Sequence, residues 1–106
     1  MSRIDAGRRE KWGMVMTLVV LSIDSEFRSI CPTQTEAEFA LLRESIITEG
    51  CREPIYFWEN APEGGNPIVD GMTRHELCQG EGIPFESKGL IFADRREVRL
   101  WILRNQ

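Results

Sequence analysis

The sharpest constraint in this chain is a junction between an apolar β-type segment and a helix-compatible segment. Ile68-Val69 ends in Asp70-Gly71, and Met72-Thr73-Arg74 follows at once. Glycine lets a ligand approach the backbone closely, and the first turn of a helix offers unpaired N–H groups at the positive end of its dipole. Arg74 adds a cationic fork that suits phosphate. The pattern predicts either a phosphate site or a tight turn with surface polar residues.

The length and charge of the chain limit its function class. Its 106 residues allow one domain, and a hydrophobic content of 42% fits a globular fold with a modest core. The 13 basic and 17 acidic residues give a net charge of −4. Because neutralisation of phosphates dominates the affinity of proteins for DNA, this acidic balance argues against tight duplex binding by this segment alone.

The three cysteines, Cys31, Cys51 and Cys78, lack the Cys-x-x-Cys spacing of zinc sites and are odd in number. We therefore expect neither a disulfide framework nor a metal site. Cys51 precedes Arg52, which leaves open a reactive thiol or an inert, partly buried one. Met14–Ile23 is too short to span a bilayer, and no signal-peptide pattern is seen. We expect a cytoplasmic location and no membrane partner.

The first half of the chain predicts an arm, a strand and a helix. Residues 1–16 are expected to form a flexible basic arm, either a solvated tail or a contact to nucleic acid, and residues 17–106 a folded domain. Thr17–Ile23 is rich in β-branched residues and predicts a strand, followed by a loop over Asp24–Pro32. Thr33 and Glu36 then predict a capping box at the start of a helix that Gly50 ends.

The second half predicts a hairpin and two more helices. Pro54–Trp58 and Pro67–Val69 are expected to pair as strands, and a helix from Met72 to Gln79 is expected to end at Gly80 and Gly82. Pro84–Phe92 is expected to be extended. A second capping box, Asp94 with Glu97, predicts the last helix. The mixed order predicts an α+β fold with a small mixed sheet and about three helices.

Single residues of other types give weaker indications. His75 is the only histidine, and such a residue is more often a surface or capping group than a catalyst. Trp58 and Trp101 fall in apolar patterns, so core packing is favoured over base stacking. No nucleophilic pair is indicated by the spacing, and the catalytic residues, if any, stay unknown.

Several segments in order resemble the ParB N-terminal domain-like fold, also called the ParB/sulfiredoxin superfamily. The resemblance covers residues 17–106 and is strongest to ParB-like proteins of phage, plasmids and mobile elements. The matching segments are Gly50–Ile55, Ile68–Cys78, Gly82–Phe85, and Asp94–Arg95 through Trp101–Gln106.

The resemblance implies a compact domain that binds nucleotide, such as CTP or ATP with Mg²⁺, within a DNA partition or mobile-element regulator. Gly71, Thr73 and Arg74 match the family's phosphate-binding turn, and Asn105 matches an asparagine that helps to hold nucleotide and metal. His75 and Arg52 complete the expected binding set, with Arg52 closing the pocket. A homodimer is a further expectation, and DNA contact would use a C-terminal domain or a partner.

Two departures from the family pattern keep alternatives open. Met72 stands where relatives carry a polar or catalytic residue, and Arg104 stands where ParB has a glutamate before Asn105. Sulfiredoxin activity is therefore not expected, and metal coordination is weakened. Because the superfamily includes such enzymes, one alternative is a ParB-type nuclease or nucleotide-dependent phosphotransferase. Met72 and Arg104 favour the other alternative, a domain with a degenerate pocket that serves interaction with protein or DNA.

Overall fold

The structure, a computed structural model, describes residues 20–106. The expected basic arm and the first residues of the expected strand Thr17–Ile23 lie outside the described residues. Of that strand, Ser22 forms an isolated parallel bridge with Pro67.

Four helices and a three-stranded sheet form the described part, which confirms the expected α+β class with a small mixed sheet. In chain order, the elements are α1 Ser25–Ile30, α2 Glu36–Glu49, β1 Ile55–Trp58, β2 Ile68–Asp70, α3 Met72–Glu81, β3 Ser87–Leu90 and α4 Arg95–Arg104. The sheet order is β2-β1-β3, with β1 antiparallel to β2 and parallel to β3. The expected hairpin of β1 and β2 is thus confirmed.

The first two helices correct the sequence-based expectation. The expected loop Asp24–Pro32 contains α1, because the Asp24 carboxylate accepts from the N–H groups of Glu26 and Phe27 and caps a helix there. The start of α2 is capped by Thr35, two residues after Thr33, and its capping-box partner is Glu38, not Glu36. Both threonines have a glutamate three residues later, so the spacing alone did not distinguish them.

The boundaries of the other helices are close to those expected. α3 continues through Gly80 to Glu81, and Gly82 ends it in the left-handed conformation. The carboxylate of Asp94 accepts from the Glu97 N–H, as expected, but the Glu97 carboxylate binds the N–H of Ala93 instead of completing the box at Asp94. No helix within residues 20–106 combines the length and apolarity that crossing a membrane requires.

Two apolar clusters position these elements. The larger one packs α1 and α4 on one face of the sheet, and its buried members are Phe27, Trp58, Val69, Phe92, Val98 and Ile102. The smaller one joins α2 to α3 through Ile46, Leu77 and Cys78. Because side chains alternate along a strand, Ile55 lies on the opposite face of β1 from Trp58. The start of α3 lies where β2 ends, between the two clusters.

Candidate functional site

The turn from β2 into α3 is built on a glycine that no other residue replaces without strain. Gly71 has φ 97° and ψ 24°, in the left-handed region, and forms the N-cap of α3. A Cβ added there would lie 2.9 Å from both the Arg74 Nη2 and the Ile55 Cδ1. Both the backbone conformation and the close packing therefore require glycine at this position.

The start of α3 has free hydrogen-bond donors. No side chain within residues 20–106 caps it, and the N–H of His75 is the first to bond inside the helix, to the Gly71 oxygen at 2.8 Å. The N–H groups of Met72, Thr73 and Arg74 precede that first bond and have no acceptor in the helix. They carry the positive end of the helix dipole, so the turn favours an anion.

A cleft of about 150 Å³ opens at this turn. It lies between the start of α3, the loop after α1 and the end of α4. Its lining includes Asp70, Gly71, Met72, Thr73 and Arg74 from the turn itself. Cys31, Pro32 and Gln34 line it from the loop, and Trp101, Asn105 and Gln106 from α4 and its end.

A second cavity of about 210 Å³ continues the cleft toward α2. It shares Cys31, Pro32, Gln34, Met72 and Thr73 with the first cavity, so Met72 and Thr73 lie at the junction of the two. Small-molecule sites commonly occupy about 300–1,000 Å³. The first cavity alone is below this range, but the two together reach its lower end. The combined space has room for more than a single phosphate group.

Arg74 is held in place by the main chain before β1. Its Nη2 donates to the Pro54 oxygen at 2.9 Å and lies 3.6 Å from the Asp70 carboxylate. The side chain is 20% exposed, and its Nε is buried without a partner within residues 20–106. Arg74 is therefore a fixed cation in the wall of the cleft, partly balanced by Asp70, with donors left over.

Asp70 makes the cleft electrostatically mixed. Its carboxylate is 43% exposed and lines the same cavity as Arg74. Burial raises the pKa of the Cys31 thiol, and the nearby charge of Asp70 raises it further. A bare phosphate beside Asp70 would meet repulsion, whereas a phosphate that carries a divalent cation would not.

The expected metal, Mg²⁺, fits this arrangement in a limited way. Within residues 20–106, no group of three or more His, Cys, Asp or Glu side chains is placed to hold a metal ion. Mg²⁺ in phosphate sites is commonly held by one or two carboxylates together with the phosphates of the ligand, and it keeps several waters. Asp70 is the carboxylate that could serve in this way, and Mg²⁺ would supply positive charge to the phosphates there.

Asn105 is the expected site residue that comes from farthest along the chain. It ends α4, and its Nδ2 donates to the Trp101 oxygen at 2.8 Å. Because the carbonyl only accepts, the amide nitrogen must face Trp101, which leaves Oδ1 as an acceptor. Asn105 also lines the same cleft as Gly71, Thr73 and Arg74.

Arg52 and His75 lie outside the lining of this cleft. The Arg52 side chain is 73% exposed, and its Nη1 pairs with the Glu49 carboxylate at 2.8 Å. The His75 ring packs edge-on against Phe85, with centroids 5.4 Å apart, and burial lowers the pKa of its imidazole. His75 lines a third depression, which shares Arg28, Met72 and Glu76 with the second cavity. The expected roles of Arg52 and His75 in binding stay predictions without support from this geometry.

The cleft also contains residues that sequence reasoning did not select as site residues. Cys31, Gln34 and Trp101 line it together with the turn. Trp101 is half-buried and packs against Tyr56 and Phe92, whereas Trp58 is fully in the core. These residues come from α4 and from the segment between α1 and α2. No local motif in the sequence indicates that they meet, because their approach depends on the packing of the helices.

No family model, curated protein or solved structure matches the chain. The geometry of the cleft is therefore the basis for a functional proposal.

Proposed function

We propose that the protein is a ParB-like nucleotide-binding module of a DNA partition or mobile-element regulatory protein, and that the cleft at the start of α3 binds the phosphates. The observation that carries the proposal is the convergence on one cleft of the free N–H groups of Met72–Arg74, the fixed Arg74 cation and the Asn105 amide. The resemblance to the ParB family supports the choice of a nucleotide over a smaller anion.

In this proposal, each part of the cleft has a chemical task. The first N–H groups of α3 donate to a phosphate group, and the Thr73 hydroxyl adds a donor at the junction of the two cavities. Arg74 supplies fixed positive charge. Asp70 favours CTP or ATP in its Mg²⁺ form, because the cation offsets the repulsion between carboxylate and phosphate. The second cavity leaves room for the rest of the nucleotide.

Calorimetric titration with CTP, ATP and GTP in the presence of Mg²⁺ tests this proposal. We expect saturable heat with at least one nucleotide, weaker binding when Mg²⁺ is removed by a chelator, and no competition by inorganic sulfate at equal concentration. No heat with any of the three nucleotides at millimolar concentration would overturn the proposal.

A charge placed in the cleft separates binding from folding. Thr73→Glu puts a carboxylate in the first turn of α3, where it favours the helix dipole but repels phosphate. We expect it to lower nucleotide affinity by at least about tenfold without loss of stability. Gln79→Glu adds the same charge to an exposed position of the same helix outside the cleft and is the matched control. Equal affinities of the two variants would contradict a phosphate site at this turn.

A further inference from the structure

A pair of cysteines lies where the segment after α2 packs against α3, and neither residue lines the cleft at the start of α3. Cys51 follows α2 directly after Gly50, and Cys78 is in the middle of α3. Cys51 packs against the small cluster formed by Ile46, Leu77 and Cys78. The two residues are 27 positions apart in sequence, and the packing of α2 on α3 brings them together.

The two cysteines meet in the small cluster, where the Cys51 side chain helps to raise the pKa of Cys78. The Cys51 thiol donates to the Glu53 oxygen with an Sγ–O distance of 3.4 Å. Cys51 is half-buried, whereas Cys78 is 1% exposed. A reagent in solution therefore reaches Cys51 first, and Cys78 is the partner that can act on Cys51 from inside the fold.

We infer that Cys51 and Cys78 form a thiol pair that a low-molecular-weight disulfide converts reversibly into an intramolecular disulfide. The Cys51 thiolate attacks one sulfur of oxidised glutathione, which forms a mixed disulfide and releases one glutathione thiolate. The Cys78 thiolate then attacks the Cys51 sulfur and releases the second glutathione. Two protein thiols are oxidised, one glutathione disulfide is reduced, and the two protons end on the released glutathione molecules.

The order of these steps follows from the surroundings of each thiol. Burial raises the pKa of Cys78 to about 12, and the neighbouring Cys51 side chain contributes in the same direction. Once Cys51 is in a mixed disulfide, it no longer carries a thiolate charge that opposes ionisation of Cys78. The positive charge of Arg74 lowers the Cys78 pKa and so favours the attacking form. Cys51 is thus the entry point, and Cys78 resolves the mixed disulfide.

Cys31 provides an internal comparison. It is half-buried like Cys51, but it lines the cleft near Asp70 and is not a member of the small cluster. We therefore expect Cys31 to stay outside the disulfide. A disulfide between Cys51 and Cys78 would tie the segment before β1 to the middle of α3 and thereby restrict the unfolded chain.

The test uses oxidised and reduced glutathione at defined ratios on the full chain. Intact mass should fall by two hydrogens, peptide mapping should locate the link at Cys51–Cys78, and reduction should restore the original mass. The oxidised form should melt several degrees higher, roughly 5 °C or more. Absence of an intramolecular link, or a link that contains Cys31, overturns the inference.

Two variants make the assignment independent of stability. Cys31→Ser should still form the link, which shows that the cleft thiol is not needed. Cys78→Ala should instead accumulate a glutathione adduct on Cys51, because the resolving thiol is missing. If Cys78→Ala fails to fold, the half-buried Cys51→Ser is used, and it should yield neither the link nor an adduct at Cys78. An adduct at Cys78 in Cys51→Ser would contradict Cys51 as the entry point.

Discussion

Arg74 reaches past Gly71 and donates from Nη2 to the main-chain oxygen of Pro54 at 2.9 Å. This bond joins the first turn of α3 to the residue directly before β1, across 20 positions of sequence. A Cβ added at Gly71 would lie only 2.9 Å from the same Nη2 atom. Because Gly71 has no side chain, the guanidinium of Arg74 has room to pass it and reach Pro54.

Replacement of Arg74 by lysine should reduce stability although the charge is kept. Lysine lacks the planar guanidinium group whose Nη2 donates to the Pro54 oxygen. Loss of a charged donor from the half-buried Pro54 carbonyl costs about 1.5–3 kcal/mol, whereas the 3.6 Å pair with the half-exposed Asp70 adds little. Urea unfolding measures the change. Arg96→Lys, at an exposed position of α4, is the control and should change stability by less than about 0.5 kcal/mol.

Replacement of Gly71 by alanine should be more costly than the same change at Gly82. Both glycines have left-handed backbones, with φ of 97° and 70°, so both variants pay a conformational cost of about 1 kcal/mol. Only at Gly71 does the new Cβ meet atoms at 2.9 Å, while nothing lies within 4 Å of it at Gly82. We expect a difference of at least about 1 kcal/mol between the two variants in urea unfolding. Equal losses would show that the packing at Gly71 relaxes freely.

The sequence was sufficient for the features that local chemistry decides. The glycine turn into α3 and the cap at Asp94 each depend on residues within a few positions of one another, and the β1–β2 hairpin depends on the turn residues between its two strands. They follow from turn and capping preferences that operate before tertiary packing.

Other features depended on distant parts of the chain. The short helix α1 is capped by Asp24, but Arg95 of α4 also pairs with that carboxylate at 3.0 Å and covers the ring of Phe27. A six-residue helix is marginal alone, so its presence depends on this packing. The approach of Asn105 and Cys31 to the Gly71 turn has the same origin, since helix packing places them there.

The start of α2 gives a direct test of the corrected cap. Thr35→Ala removes the acceptor of the Glu38 N–H, whose bond to Oγ1 is 3.1 Å long. We expect a loss of about 1 kcal/mol in the free energy of unfolding. Thr33→Ala, the matched change two residues earlier, should have an effect below about 0.5 kcal/mol because Thr33 caps no helix in the structure. The reverse order of the two effects would place the helix start at the position first expected from the sequence.

The pair of Asp24 and Arg95 should make stability depend on pH in the acid range. The hydrogen bond from Arg95 lowers the pKa of Asp24 below its usual value of 3.8, and backbone N–H groups of α1 act in the same direction against the effect of burial. Because the folded pKa is below the unfolded one, this contribution to the free energy of unfolding is complete above the unfolded pKa and is lost as the pH falls through the folded pKa.

Asp24→Asn keeps a good helix cap but removes the charge. We expect it to destabilise the protein at pH 7 by no more than about 1 kcal/mol, since solvent screens the partly exposed Arg95. The difference from wild type should shrink as the pH falls below about 4, which urea unfolding from pH 7 to pH 3 would measure.

Asp94→Asn makes the same change at the cap of α4, where no arginine pairs with the carboxylate among the described residues, and should cost less at pH 7. A difference for Asp24→Asn that stays constant over the whole range would show that the Arg95 pair does not shift the titration of Asp24.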